Sequence, residues 1–218
     1  DLTADGVSDI IFTYDTYDAD FSGAQWLVYA GGVGGFSELA LKWSIPTLEG
    51  DSQEVGSFYY TEGEDARKVT GNKSYWYQYE TFDITGDGVN DLVLTWDEFD
   101  LDSGTSYWLV YTGGADGFSS TPMKWTLPLV EQNFREGPAF SLSSKEWSYR
   151  VGDELHYGSH TTVDLTGDGI SELIVTWDEG NPEIGNKHWL VYEGDVTGFS
   201  TTASKWTLPT ITGDFTGG

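Results

Sequence analysis

The chain contains three similar copies of one stretch of sequence, which align with one another without a gap. Residues 1–46 recur as residues 83–128 and again as residues 164–209, at offsets of 82 and then 81 residues. Repeats of this length are typical of folds in which each repeat is one supersecondary unit that buries its apolar face against its neighbours. We therefore interpret residues 1–218 as a single repeat domain with units 1–82, 83–163 and a truncated 164–218.

Each unit reads as a set of short β-strands. An apolar, β-branched segment bounded by turn residues predicts the first strand, and a Trp-Leu-Val-Tyr segment that ends at a glycine predicts the second. A third strand is predicted to end at a Lys-Trp-x-x-Pro segment, because proline cannot donate to a ladder. No segment has sustained helical periodicity, so the predicted class is all-β. The three copies of these strands are predicted at 10–14, 26–29 and 42–46, at 92–96, 108–111 and 124–128, and at 173–177, 189–192 and 205–209.

The stretches between the copies, roughly 47–81 and 129–163, share little beyond aromatic residues. We interpret them as variable insertions on a fixed scaffold, with further strands at 57–60, 75–79 and 147–150. Three to five strands per unit is the content of one propeller blade, but closed propellers have about four to eight blades. Three explanations stay open: the linkers form blades of their own, the chain is a fragment of an incomplete propeller, or neighbouring subunits complete the sheet.

Composition narrows the classes of function. The formal net charge of −26 disfavours contact with phosphate backbones, so no nucleic-acid partner is expected. The absence of cysteine excludes disulfides, thiolate catalysis and cysteine-ligated zinc. No stretch approaches the roughly 20 apolar residues of a membrane span. Serine-hydrolase, zinc-protease and phosphate-loop motifs are missing as well, so we do not expect an enzyme.

Each unit opens with an acidic, glycine-bearing turn of nine residues. Carboxylates stand at positions 1, 5 and 9, and a glycine at position 6 permits a sharp bend. Hard cations such as Ca²⁺ take several oxygen ligands at once, so this pattern predicts a cation site in each turn. The alternative is an Asx-type turn that needs no ion. The candidate carboxylate ligands are Asp1, Asp5 and Asp9, then Asp83, Asp87 and Asp91, then Asp164, Asp168 and Glu172.

The turn and the strand that follows it resemble the FG-GAP or VCBS repeat, the blade unit of integrin-α-type propellers and of several lectins. That family's loop reads D-x-[DN]-x-[DN]-G-x-x-D, and the resemblance covers about 47 residues of each copy. It implies a propeller-blade fold, one Ca²⁺ per unit, and an additional ligand from the backbone carbonyl of Val7, Val89 and Ile170. The third position departs from the family pattern, because Thr3, Thr85 and Thr166 replace Asp or Asn.

The chain has ten tryptophans. Six of them, in two fixed columns of the repeat, are expected to pack in the core between sheets. Trp76 and Trp147, which lie in the linkers, are better candidates for an exposed sugar-binding platform. His156 and His160 are expected at the surface or in turns. The six core candidates are Trp26, Trp43, Trp108, Trp125, Trp189 and Trp206.

The sequence therefore favours a non-catalytic, extracellular Ca²⁺-binding module for adhesion or recognition, with a glycan or a protein as ligand. Coordination by so few charges suits the roughly millimolar calcium outside cells. A structural subunit of an extracellular filament or surface assembly, binding copies of itself, is the first alternative. An accessory domain of a larger secreted hydrolase or toxin is the second.

Overall fold

The computed structural model describes residues 1–13, 25–46, 66–70, 73–97, 100, 102–128, 140, 146–151 and 153–210, with only the backbone described for 66–70, 73–76 and 146–151. These residues form strands and turns without a helix, which confirms the all-β prediction. In this part of the chain nothing helical is therefore long and apolar enough to cross a membrane.

Seventeen strands are described, and the two-residue ones are small hairpin arms. The bounds are β1 Ile10–Phe12, β2 Gln25–Tyr29, β3 Leu41–Ser44, β4 Ala66–Thr70, β5 Lys73–Phe82, β6 Asp91–Asp97, β7 Tyr107–Tyr111, β8 Gly113–Gly114, β9 Gly117–Phe118, β10 Met123–Thr126, β11 Glu146–Val151, β12 Glu154–Val163, β13 Glu172–Asp178, β14 His188–Tyr192, β15 Gly194–Asp195, β16 Gly198–Phe199 and β17 Ser204–Thr207.

The strands form three open sheets. The first has the order β1-β2-β3-β9-β8, the second β15-β16-β10-β7-β6-β5-β4, and the third β11-β12-β13-β14-β17. The three strands predicted in each unit lie side by side and antiparallel, as in β6-β7-β10. The third strand ends two residues before the proline rather than at it, since β3 stops at Ser44.

The linkers are not insertions on the scaffold, and that interpretation was wrong. Each described linker supplies a β-hairpin, β4–β5 or β11–β12, whose second strand pairs with the first strand of the next copy. The pairing is the same in both cases even to a bulge, which falls at Gln78/Tyr79 and again 81 residues later at Ser159/His160. Backbone pairing tolerates different side chains, so the two hairpins pair alike although their sequences differ. The predicted strand 57–60 lies outside the described residues.

A small hairpin in the second and third units crosses to the sheet of the preceding unit. Gly117 of β9 bridges Ser44 of β3, and Gly198 of β16 bridges Thr126 of β10, both in parallel. A Cβ on Gly117 would lie 2.4 Å from the Ser44 carbonyl oxygen, so only glycine permits this approach. The sequence pattern did not reveal these strands, because two-residue arms carry no periodicity.

Two apolar cores lie between consecutive sheets and are built from equivalent residues. In one core the Phe118 ring packs edge-on against Trp26 and Trp43 at centroid distances of 5.5 and 5.9 Å. In the other, Phe199 meets Trp108 and Trp125 at the same two distances. Each such pair contributes about 0.5–1.5 kcal/mol beyond area burial. The sheets are therefore joined by a repeated interface.

The core assignment of the six column tryptophans is correct for the first four and wrong for the last. Trp26, Trp43, Trp108 and Trp125 are at most 2% exposed, whereas Trp206 is 39% exposed and Trp189 only partly buried. Both of these belong to the third sheet, and none of the described strands forms a further sheet over them. The surface assignment of the histidines also fails in part, since His160 is 2% exposed and packs against Phe140.

Candidate cation-binding turns

The carboxylate at position 5 of each turn closes the turn on itself. Asp5 accepts a hydrogen bond from the Val7 backbone N–H at 2.8 Å, and Asp87 and Asp168 do the same two residues on. The glycine between donor and acceptor has a positive φ, from 83° at Gly6 to 96° at Gly169. The Asx-type turn proposed as the alternative to a cation site is thus present in all three copies.

The carboxylate at position 1 spans the turn. Asp83 accepts from the N–H groups of Gly86 and Gly88 at 2.7 and 2.8 Å, and Asp164 accepts from the equivalent glycines. Asp1 also accepts two backbone N–H groups, one of them from Gly6 at 2.7 Å. These bonds hold the side chains of positions 1 and 5 on the exposed side of the turn.

The carboxylate at position 9 is an anchor within the protein. Asp91 is fully buried and accepts hydrogen bonds from Ile84 at 3.2 Å and Thr85 at 3.1 Å, within its own turn. It also accepts the N–H of Gly113, the first residue of β8 and two residues beyond β7, at 2.9 Å. Asp9 makes the same set of bonds to Leu2, Thr3 and Gly31. In the first two units position 9 therefore ties the turn to the glycine that follows the second strand, a role that the sequence pattern did not predict.

A signal for this role exists in the sequence. The N–H donors Gly31 and Gly113 stand 22 residues after Asp9 and Asp91, and glycine is retained at this column in the third copy as well. A Cβ on Gly113 would lie 2.2 Å from the Asn90 carbonyl oxygen, so a side chain there would force the turn away. An acidic residue at position 9, aspartate in two copies and glutamate in the third, together with a glycine 22 residues later in all three copies, is the sequence signal of this contact.

The pKa values of the equivalent anchors Asp9 and Asp91 are shifted in opposite directions. Burial raises the pKa of Asp91, and the hydrogen bonds from Gly113, Thr85 and Ile84 offset this only in part. Burial also raises the pKa of Asp9, but that side chain is partly exposed, and the N–H groups of Gly31, Thr3 and Leu2 hold its pKa below the ordinary value. The difference arises because the first turn has less protein around it.

The carboxylates meet in two of the three predicted sites. One oxygen from each of Asp1, Asp5 and Asp9 lies within 4.8 Å of the others, and so do oxygens of Asp164, Asp168 and Glu172. Among the described residues, Asp83, Asp87 and Asp91 do not form such a group. No feature of the hydrogen bonding accounts for this difference, because the second and third turns are bonded alike at positions 1 and 5.

The predicted ligands differ in their capacity to accept another partner. A carboxylate has about four lone-pair sites, and Asp5 and Asp168 each use one of them on the turn. Asp9 accepts three backbone N–H groups and the Thr3 hydroxyl, the latter at 3.4 Å, so it has little capacity left. Positions 1 and 5 are therefore the ones that can coordinate an ion.

The predicted carbonyl ligands Val7, Val89 and Ile170 occupy equivalent places in the turns. Their N–H groups donate to position 5, and their side chains lie against the strand-end glycine, where Val89 Cγ1 would be 2.8 Å from a Cβ on Gly113. Their role as ligands stays a prediction. The threonine hydroxyls at position 3 point inward, since Thr166 donates to Glu172 at 3.4 Å as Thr3 does to Asp9.

The second and third turns touch each other. Gly86 lies so close to Gly169 that a Cβ on Gly86 would be 2.8 Å from the Gly169 carbonyl oxygen. The Ser171 hydroxyl reaches the Asp83 carbonyl oxygen at 3.5 Å. Because Asp87, Asp164 and Asp168 are exposed and Asp83 is partly exposed, negative charge accumulates where two sheets meet.

The proposed platform residues lie on linker strands. Trp76 is on β5, paired with Arg67 of the edge strand β4, and Trp147 is on the edge strand β11, opposite Gly158. Their side chains lie outside the described part of the structure. Comparison of the chain with protein-family models, curated proteins and solved structures gave no match.

Proposed function

We propose that the protein is a non-catalytic, extracellular Ca²⁺-binding module built from propeller-blade-like β-repeats, and that it serves adhesion or recognition of a glycan or protein ligand. The observation that carries the proposal is the convergence of Asp1, Asp5 and Asp9, and of Asp164, Asp168 and Glu172, each within 4.8 Å. Three carboxylates at this separation repel one another, and a divalent cation among them would remove that repulsion.

The residues of the first and third turns fit a hard cation in chemistry. Their donors are carboxylate oxygens, and positions 1 and 5 are exposed and have free lone pairs. The chain's own part in binding is to hold these oxygens in place through the backbone N–H groups that they accept. A bound Ca²⁺ would add charge neutralisation at the turn that leads into the first strand of each unit.

The anchoring of position 9 gives the ion a structural consequence. Glu172 accepts the N–H groups of Leu165 and Thr166 and begins β13, so a cation held by Asp164 and Asp168 would stiffen the entry to the third sheet. The linker hairpins, which differ between copies in sequence but not in pairing, are the natural surface for ligand selectivity.

A calorimetric titration and thermal unfolding in Ca²⁺ or chelator test the cation site. At a Ca²⁺ concentration about ten times Kd, two sites would add about 3 kcal/mol, which corresponds to roughly 6–12 °C in Tm for a chain of this size. Asp168→Asn is the discriminating variant, because its amide oxygen can still accept the Ile170 N–H and preserve the turn. This variant should lose about half of the Ca²⁺-dependent rise in Tm, whereas its Tm in chelator should equal that of the wild type in chelator.

The matched control is Asp116→Asn, which removes an exposed carboxylate outside the turns. This variant should retain the full Ca²⁺ response. An identical melting curve for the wild type in Ca²⁺ and in chelator would contradict the proposal. A glycan array with the wild type and Trp147→Ala tests ligand recognition separately. Glycan binding by the wild type but not by Trp147→Ala would support the proposed sugar-binding platform.

A further inference from the structure

Inside the chain, the same interface joins consecutive sheets at two places, which we call the internal junctions. Each of the two outer sheets presents one half of this interface at an end of the stack. In both internal junctions, a phenylalanine of one unit packs between two tryptophans of the preceding unit. At the first sheet the equivalent phenylalanine is Phe36, and at the third sheet the equivalent tryptophans are Trp189 and Trp206. The first sheet thus presents the phenylalanine half and the third sheet the tryptophan half.

The exposed fractions of these residues differ sharply from those of their internal equivalents. Phe36 is 52% exposed, whereas Phe118 and Phe199 are 6% and 4% exposed. On the same outer face, Ile10 and Phe12 are 38% and 51% exposed, although the equivalent leucines, Leu92 and Leu94, are fully buried. We call Ile10, Phe12 and Phe36 the head face.

The opposite surface, which we call the tail face, consists of Trp189, Trp206 and Leu208. Trp206 is 39% exposed, while its equivalents Trp43 and Trp125 are at most 1% exposed. Leu208 is half-buried, while its equivalent Leu127 is 1% exposed. Apolar side chains that a neighbouring sheet covers twice within the chain are therefore open to solvent at both ends.

The turn that carries Phe36 already has the backbone conformation that its equivalents have in the internal junctions, although no sheet of the described residues packs against it. The Ser37 N–H donates to the Ala30 carbonyl at 2.8 Å, as Ser119 does to Thr112 and Ser200 to Glu193. Gly35 has a φ of 123°, close to the 139° of Gly117, yet a Cβ on Gly35 would meet nothing within 4 Å. The turn that carries Phe36 is therefore formed in advance, with the space beside it free.

We infer that the chain associates head to tail with a second copy of itself. Phe36 of one copy packs between Trp189 and Trp206 of the other, in the arrangement that Phe199 makes with Trp108 and Trp125. The edge of β17 continues the sheet, and the Thr207 N–H donates to the Gly34 carbonyl as Thr126 donates to Thr197 at 3.2 Å. The contact is heterologous, so repetition gives a ring or a filament according to the rotation between copies. It does not depend on cation binding.

The high negative charge sets the conditions for the test. Two chains of net charge −26 repel at low ionic strength, so association should strengthen with salt. We expect light scattering after size exclusion, in about 0.5 M NaCl, to give masses above 24.1 kDa that rise with protein concentration. A wild-type chain that stays monomeric at every concentration overturns the inference.

Two single substitutions give a complementation test. Phe36→Asp blocks the head face and Trp206→Gln blocks the tail face, so each variant alone should run as a monomer. Their mixture should form a dimer at twice the monomer mass, because one intact head remains to meet one intact tail. A mixture that stays monomeric, or a single variant that still dimerises, means a different contact and overturns the inference. Leu39→Asp is the matched control and should associate like the wild type, since Leu39 is exposed but its equivalent, Thr121, stays exposed in an internal junction.

Cross-linking provides a readout that does not depend on the folding of these variants. The chain has no cysteine, so Gly34→Cys and Thr207→Cys each introduce a single thiol at an exposed site. In the same reaction time, a mixture of the two variants should give at least ten times more disulfide-linked dimer than either variant alone. Equal cross-linking within each variant alone overturns the head-to-tail geometry.

Discussion

The Asp91 carboxylate accepts a hydrogen bond from the Gly113 backbone N–H at 2.9 Å, across 22 residues of sequence. The same carboxylate accepts the N–H groups of Ile84 and Thr85, so one buried side chain joins the acidic turn, the start of β6 and the start of β8. The acidic turn is therefore part of the packed structure of the unit as well as a candidate site on its surface.

Replacement of this anchor should be costly. Asp91→Ala leaves three backbone N–H groups without their acceptor, and each buried unpaired donor costs about 1–3 kcal/mol. We expect a loss of about 3 kcal/mol or more in the free energy of unfolding, measured by urea denaturation. Asp87→Ala, in the same turn, removes one exposed bond to Val89 and should cost less than about 1 kcal/mol. Equal losses would contradict the anchor role.

The strand-end glycine should not tolerate a side chain. A Cβ on Gly113 would lie 2.2 Å from the Asn90 carbonyl oxygen, so Gly113→Ala must displace the turn, at about 2–3 kcal/mol. The adjacent Gly114→Ala is the control, because the nearest atom to its Cβ is 3.5 Å away. Thermal unfolding should show a clear drop in Tm for the first variant and little change for the second.

Ala4 is the one non-glycine residue with a positive φ that the described structure contains, at 58°. The other two copies have Gly86 and Gly167 at this position, with φ of 78° and 79°. Ala4→Gly should relieve the left-handed strain and raise stability by about 0.5–1 kcal/mol, after the greater freedom of glycine in the unfolded chain is subtracted. The converse, Gly167→Ala, should lower it, and calorimetry that finds both variants neutral would refute the strain.

The two anchors should respond oppositely to pH. The pKa of Asp9 lies below its ordinary value of 3.8, so its contribution to stability is present above pH 3.8 and is lost as the pH falls through the lowered pKa. The pKa of Asp91 is raised, so its ionisation costs stability as the pH rises from 3.8 through the folded-state pKa. Carboxyl NMR titration without Ca²⁺ should find Asp91 titrating above Asp9, and the reverse order would contradict the burial argument.

The sequence predicted the parts of the fold in which side chains carry the pattern. Alternation and turn residues placed the strands of each unit, and the first four column tryptophans are in the core as expected. In the linkers, the strands predicted at 75–79 and 147–150 are confirmed as β5 and β11, whereas their hairpin partners β4 and β12 were not predicted. The common pairing of the two hairpins was missed because it is a backbone property, which Tyr77 and its equivalent Gly158 satisfy equally well. The exposure of Trp206 escaped detection because a repeat pattern does not distinguish an internal unit from a terminal one.

The candidate cation site likewise has one part that the local sequence predicts and one part that depends on long-range contacts. The local residues were enough to predict a tight, acidic, glycine-bearing turn in each unit. The carboxylates converge in the first and third turns but not in the second, which has the same spacing, so the spacing is not sufficient for convergence. Which carboxylates face solvent depends on long-range contacts, since Asp91 is buried and accepts the N–H of a glycine 22 residues away. Sequence fixes what is local, whereas burial depends on which distant backbone groups the folded chain brings to the same place.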